Sequence, residues 1–294
     1  MISVIIPVYN DPIGLRDTLE SLVNQKTGHD YEILVVDNKS TDQTSEVIKE
    51  FEEEYSDLIK SLEENQIQSS YAARNRGLED AKGDIICFLD SDMWVQQDYL
   101  DNVHSYFDLN EGVDYLGCQV EIIDRSEGKA SAFYDKKTGF DVQSYFEKRS
   151  FVPTCCLSVR SEVFKEVGGF NQELVSGGDK EFGRRVSKSN FGMEYLGDIT
   201  VYHPARDSWR SINRKYFRIG RGDCQLQKIE GERFIEDAGV LHLLKKVINS
   251  PKVPSKLIEG SESFNFKVRL IFVFLVKRFS YFSGYWYQKL LSEN

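Results

Sequence analysis

The stretch DIICFLDSDMWV (Asp84–Val95) decides how the first half of the chain is read. Ile85, Ile86, Phe88 and Leu89 form a short continuous apolar run, the pattern of a strand covered on both faces. Two aspartates, Asp90 and Asp92, follow at once with Ser91 between them. In an extended chain residues i and i+2 point to the same side. The pair is therefore expected to face one pocket beyond the strand's end.

Working outward, the same design recurs. ISVIIPVYN (Ile2–Asn10) and YEILVVDN (Tyr31–Asn38) are apolar strands, the second ending in Asp37. Between them Leu15, Leu19, Leu22 and Val23 recur at helical spacing. Ser40 and Thr41 are N-cap candidates for a helix carrying Val47, Ile48 and Phe51 on one face. A short strand is expected near Leu58–Leu62, and SYAARNRGLEDAKG (Ser70–Gly83) reads as a helix closed by glycine. Strands alternating with helices imply an α/β fold with a mostly parallel sheet flanked by helices. Ligands of such sheets bind beyond the carboxyl ends of the strands. No G-x-G-x-x-G follows the first strand, so an ordinary dinucleotide fold is not expected.

The second half is less regular. Strands are expected at Val113–Ile123 and Glu194–Pro204, with a short helix in Ser161–Asn171 that stops at Gly168-Gly169 and another at Gly177–Gly192. A soft boundary near residue 205 divides the chain into 1–205 and a helical, basic and aromatic extension, 206–294. The 294 residues carry a net charge of −10, which argues against a general nucleic-acid binder. The charge is segregated: residues 203–294 hold 17 Lys+Arg against 9 Asp+Glu, and the remainder 20 against 38. Five cysteines without a C-x-x-C pair indicate a reduced chain with no disulfide frame or zinc site. No signal peptide is visible, and the apolar run Leu270–Val276 is far short of a bilayer span. A cytoplasmic protein is expected, either free or peripheral on the inner face of the cell membrane.

Two ionised carboxylates held close together repel. A divalent cation relieves that conflict, and hard oxygen ligands suit Mg²⁺ or Mn²⁺. The plainer alternative is a turn capped by aspartates. Asp37 can accept hydrogen bonds from a base or ribose, or close an Asx turn into the helix. Arg74 and Arg76 precede the acidic strand, where they can pair with phosphate or with acidic neighbours; a structural ion pair is the better reading for Arg76. The histidines His29, His104 and His242 sit in no motif.

SVIIPVYN (Ser3–Asn10), ILVVDNKSTDQT (Ile33–Thr44), AARNRGLEDAKGDIICFLDSD (Ala72–Asp92) and SGGDKEFGRRV (Ser176–Val186) together resemble the family 2 glycosyltransferases of the GT-A fold. The resemblance implies an inverting transferase that moves a sugar from a nucleotide-diphospho-sugar, usually UDP-linked, to a hydroxyl acceptor. That acceptor would be a glycan, a lipid-linked sugar or a small molecule, in surface or extracellular polysaccharide assembly. By the same resemblance Pro7, Tyr9, Asn10, Asp37, Arg74, Asp90 and Ser91 bind the nucleotide-sugar. Asp92 ligates Mn²⁺ or Mg²⁺, with Asp90 in its shell and His203 as a late ligand, and Asp179 is the catalytic base. The family usually places an acid just before that base, and Gly178 stands there instead. Cys155 and Cys156 are read as packing residues, since an inverting transfer needs no covalent intermediate.

Two rival readings use the same residues. A sugar nucleotidyltransferase would show a Gly-rich basic loop after the first strand, which PVYNDP is not. A silent nucleotide-sugar-binding partner would not require Asp90, Asp92 and Asp179 together. In the extension, Arg206, Arg210, Arg214, Lys215, Arg218 and Arg221 suit a lid over a diphosphate. Residues Asn265–Leu291 mix aromatics with lysine and arginine, as expected of an interfacial helix, a packed helix or a homodimer contact.

Overall fold

The computed structural model describes residues 1–126, 128–231 and 263–292; His242 lies outside them. Strand β1 (Ile2–Val8) pairs in parallel with β2 (Tyr31–Asp37) and with β4 (Ile85–Phe88), and β2 pairs in parallel with β3 (Ile59–Glu63). The register sets Val8 beside Asp37 and Ile5 beside Phe88, so the three strands end at one rim. Helices α1 (Pro12–Val23), α2 (Thr44–Glu54) and α3 (Ser70–Asp80) connect them. Ile5, Ile6, Leu34, Val35, Phe88 and Leu89 are fully buried, as a sheet covered on both faces requires.

Beyond β4 the sheet changes character. β7 (Leu157–Arg160) runs antiparallel to β4 and to β6 (Tyr115–Ile123). A two-residue strand, β5 (Trp94–Val95), pairs antiparallel with β8 (Met193–Pro204). The order is β3-β2-β1-β4-β7-β6-β8-β5, a mixed sheet. Apolar patterning reports burial, not strand direction, so the antiparallel half was not legible from the residues. The remaining helices in chain order are α4 (Tyr99–Leu109), α5 (Ala130–Thr138), α6 (Val142–Arg149), α7 (Ser161–Val167), α8 (Gly178–Val186), α9 (Trp209–Glu230) and α10 (Phe264–Leu291).

The chain resolves into two units. The first is Met1–Glu121, Phe140–Glu173 and Gly178–His203 and contains the sheet's parallel half and its rim. The second takes Ile122–Gly139, Leu174–Gly177 and the described part of Pro204–Asn294. Its core is Ala130, Tyr134, Ile212, Tyr216, Leu270 and Val273, from α5, α9 and α10. α9 and α10 cross so closely that a Cβ on Gly220 would lie 2.0 Å from the Tyr281 carbonyl oxygen. A Cβ on Gly284 would lie equally close to the carbonyl oxygen of Phe217. Glycine at both contacts is what lets the backbones meet. Asp135 is buried in this unit and accepts from the Arg206 guanidinium at 3.2 Å and the Lys215 ammonium at 3.1 Å. Two cations read from sequence as lid residues are thus engaged within the helical unit. All five cysteines are buried and unbridged. No described helix is long and apolar enough to cross a membrane.

Candidate active site

The rim of the parallel strands is laced together by its own loops. Asn10 adopts φ 53°, a left-handed conformation that asparagine tolerates better than most residues. Its side-chain oxygen accepts the Thr41 amide at 2.7 Å, and its own amide donates to the Ser40 hydroxyl at 2.9 Å. The Asp11 amide donates to the Thr44 hydroxyl at 3.0 Å. Ser40 and Thr41 are therefore used in the lacing, and α2 begins at Thr44 rather than at the N-cap candidates. Asp37 accepts the Ser40 amide at 3.0 Å through Oδ1, three residues on rather than the two of an Asx turn. Tyr9 projects at the rim, 50% exposed, whereas Pro7 is buried in β1 opposite Val36.

The acidic pair lies beyond the end of its strand, in a turn. β4 stops at Phe88, and the Met93 amide donates to the Asp90 carbonyl oxygen at 3.3 Å, closing a turn. Strand alternation no longer governs Asp90 and Asp92, and the two carboxylates take different partners. Asp90 Oδ1 accepts from Arg74 Nη2 at 2.5 Å. Asp92 Oδ2 lies 3.6 Å from Nε2 of His203, an imidazole only 3% exposed. The cause of that meeting is the β5–β8 pairing: Trp94 opposes Tyr202, and one step further the antiparallel register sets Met93 opposite His203. The ring of Phe140 covers the imidazole, with centroids 5.5 Å apart.

Sequence reading missed the support beneath this turn. The Thr18 hydroxyl, fully buried in α1, donates to the Ser91 carbonyl oxygen at 2.9 Å. Asp11 caps α1 by accepting the Gly14 amide, and its other oxygen accepts the Ser91 hydroxyl at 3.3 Å. Burial raises the Asp11 carboxyl above its ordinary range; the Gly14 amide opposes the rise, and the Asp92 charge adds to it. The only local signal was Asp11 as an N-cap three residues before Gly14; its link to Ser91 spans 80 positions.

Asp179 lies in the first turn of α8, where helix polarity favours a carboxylate. Its Oδ1 accepts the Lys180 amide at 2.9 Å. Tyr71 explains the glycine before it. The Tyr71 hydroxyl accepts the Gly178 amide at 2.9 Å, and a Cβ at 178 would fall 2.8 Å from the Tyr71 ring. A side chain at 178 would have to displace that ring. Tyr71 also lies under the Arg74 guanidinium, 5.7 Å from carbon to ring centroid. Contacts therefore run without a break from Asp90 through Arg74 and Tyr71 to the backbone of Gly178, next to Asp179. Asn75 holds the approach to this loop, exchanging two 2.8 Å hydrogen bonds with the Phe170 backbone. Arg185 caps the C-terminus of α7 by donating to the carbonyls of Val167 and Gly169 while pairing with Glu181. Arg76, as expected, pairs with Asp80 at 2.8 Å. His29 and His104 stack on each other with centroids 3.6 Å apart.

No group of three or more His, Cys, Asp or Glu able to enclose a metal occurs among the described residues. Asp92 and His203 make a smaller donor set. Two atoms each about 2.1 Å from one ion lie about 3.0–3.4 Å apart, so their 3.6 Å separation needs only a small adjustment. A carboxylate oxygen with an imidazole nitrogen suits Mn²⁺. A two-residue set also leaves coordination positions for phosphate oxygens, as is usual for ions bound with a nucleotide. The two residues fit a divalent cation, and neighbouring Asp90 is paired with Arg74.

The rim of this α/β fold thus gathers acids, a buried arginine and an open aromatic ring. Residues 3–168 match glycosyl transferase family 2. Glycosyltransferase AglE of Haloferax volcanii is 36% identical over 230 residues, spanning 78% of this chain and 75% of that protein. Among solved structures, the mannosyltransferase PcManGT of Pyrobaculum calidifontis, in complex with GDP-Man and Mn²⁺, superposes with a TM-score of 0.66 at 17% identity, covering all of this chain and 88% of that one. TarS 1–349 of S. aureus, in complex with UDP-GlcNAc, superposes with a TM-score of 0.56 at 20% identity, covering 98% and 91%. The chain belongs to glycosyl transferase family 2. It is a glycosyltransferase with the GT-A fold, acting in glycan biosynthesis.

Proposed function

We propose that the protein transfers a sugar from a nucleoside-diphospho-sugar to a hydroxyl acceptor with inversion at the anomeric carbon, in surface or extracellular polysaccharide assembly. The observation that carries the reading is Asp92 set 3.6 Å from the buried imidazole of His203 at the rim where the parallel strands end. Asp92 and His203 hold a divalent cation, Mn²⁺ by ligand type. When bound, the ion offsets the charge of the departing diphosphate. Tyr9 stacks on the base, Asp37 hydrogen-bonds to it, and the base is uracil, as the sequence resemblance implies. Arg74 and Asp90 form a pair that opens toward the donor. The acceptor oxygen bonds to the anomeric carbon while the carbon–oxygen bond to the diphosphate breaks. The acceptor's proton passes to Asp179, and that base contributes about 10²–10⁴-fold.

PcManGT is named with GDP-Man and TarS with UDP-GlcNAc, so the base is tested rather than assumed. The experiment incubates UDP- and GDP-sugars with the protein in Mn²⁺, Mg²⁺ or EDTA and scores free-nucleotide release and thermal shift. One donor, stabilising only with metal, is expected. Asp179→Asn is expected to keep that donor shift and to lose roughly 10²–10⁴-fold in turnover. Undiminished turnover by Asp179→Asn removes the base; donor binding indifferent to EDTA removes the metal.

A further inference from the structure

α10 presents two faces. Leu270, Val273, Ser280, Gly284 and Tyr285 are buried within the helical unit. The other face carries Phe264, Val268, Ile271, Phe272, Leu275 and Phe279, all exposed; Phe264 is 80% and Phe279 66% exposed. Their spacing lays them in one stripe along the helix, about 22 Å long at 1.5 Å per residue. A continuous apolar stripe of that length is not an ordinary solvent face.

The charge on α10 itself has one sign. α10 contains Lys267, Arg269, Lys277, Arg278 and Lys289 and no Asp or Glu, in a chain of net charge −10. On α9, exposed Arg210, Arg214 and Arg218 repeat every fourth residue and so share a face. The two features meet at Trp209. Its half-exposed ring packs edge-on against Phe272 with centroids 6.5 Å apart, and the Arg210 guanidinium lies 5.4 Å from its centroid. A tryptophan between an apolar stripe and an arginine row suits a boundary that is greasy on one side and ionic on the other.

The geometry points to this surface as a docking face for anionic lipid: the aromatic stripe enters the acyl boundary and the arginine row meets the headgroup phosphates. Charge complementarity selects the occupant. A second copy on a two-fold axis would bring both arginine rows to one seam. α10 supplies no acid to neutralise them; of the two acids on α9, Asp223 is bound by the Tyr281 hydroxyl at 2.7 Å and Glu230 is the last residue of the helix, beyond the arginine row. Anionic headgroups supply the missing charge.

The test is sedimentation of the full chain with phosphatidylcholine vesicles, with or without phosphatidylglycerol. Binding is expected only with phosphatidylglycerol. It should weaken strongly toward 1 M salt, where the screening length falls to about 3 Å. Arg210→Glu/Arg214→Glu/Arg218→Glu should lose roughly 100-fold or more in affinity at low salt. Phe272→Glu/Phe279→Glu should abolish binding at all salt concentrations. These side chains are exposed, and circular dichroism together with donor-stimulated nucleotide release checks that each variant is folded. No uptake by anionic vesicles, or uptake unchanged in the phenylalanine variant, overturns the proposal. So does a concentration-dependent dimer that the same variant dissolves, which would assign the stripe to a second copy.

Discussion

Two acid–base clusters in this molecule are built in opposite senses. At the rim of the first unit the cation is the buried member: the Arg74 side chain is 4% exposed, and its partner Asp90 is 38% exposed. Arg74 Nε is buried without a hydrogen-bond partner. In the helical unit the acid is the buried member: the Asp135 side chain is 1% exposed, between Arg206 and Lys215. Asp135 there accepts from two side chains and from the Arg206 amide. Burial alone would raise its pKa, but Lys215 and Arg206 outweigh that and hold it below the usual carboxylate range. Lys215 is drawn down to about 8, first by burial and then by Arg206. The closed cluster is suited to fastening α5 to α9. The rim pair keeps one partner within reach of solvent and one donor unspent, which suits a site that must exchange partners when a ligand arrives.

Asp135→Ala breaks the comparison hardest. It leaves two cations without their acid, and unfolding in urea should show a loss of about 3–5 kcal/mol with the donor KM unchanged. A loss under about 1 kcal/mol would make the cluster equivalent to a surface pair. Asp90→Ala should cost less stability, about 1–3 kcal/mol, because solvent already reaches that carboxylate. Unlike the Asp135 change it should raise the donor KM; an unaltered KM would show that the rim pair is also merely structural. Gly178→Ala sharpens the picture of the rim. The added Cβ presses on the Tyr71 ring, with an expected cost of about 1–3 kcal/mol and a fall in kcat; a neutral result would mean that the ring yields freely. The smallest effect is in acid. The Asp135 contribution is fully present above its unfolded value, about 3.9, and is lost as pH falls through its depressed folded value. Asp135→Asn should therefore flatten the acid limb of stability against pH below about 4; an unchanged limb would place the titrating acids elsewhere.

What was legible in the sequence is what local pattern controls. The apolar runs into Asp37 and Asp90 gave strands ending at a common rim, because parallel strands joined by helices must finish on the same side. Gly168, at φ 78°, ends α7 where the glycine pair suggested. The partners of Asp90 and Asp92 were not legible because the strand ends at Phe88, so the period-two rule does not reach the two acids. The approach of His203 to Asp92 through β5 and the supports from Asp11, Thr18 and Tyr71 depend on residues more than 70 positions apart, and strand direction in the second half on the non-local β4–β7 and β6–β7 pairings. Nothing in local periodicity encodes such pairings. Gly178 was visible as a departure from the family pattern, yet its reason, a tyrosine ring from α3, lay 107 positions away.

The central claim is that Asp92 and His203 hold the cation that seats the donor diphosphate. The most direct measurement is calorimetric titration of the nucleoside diphosphate product with and without Mn²⁺, in the wild type and in His203→Ala and Asp92→Asn. Binding should require Mn²⁺ in the wild type and weaken at least ten-fold in each variant, a penalty of about 1.4 kcal/mol or more. Equal Mn²⁺ dependence in His203→Ala and the wild type would contradict the account.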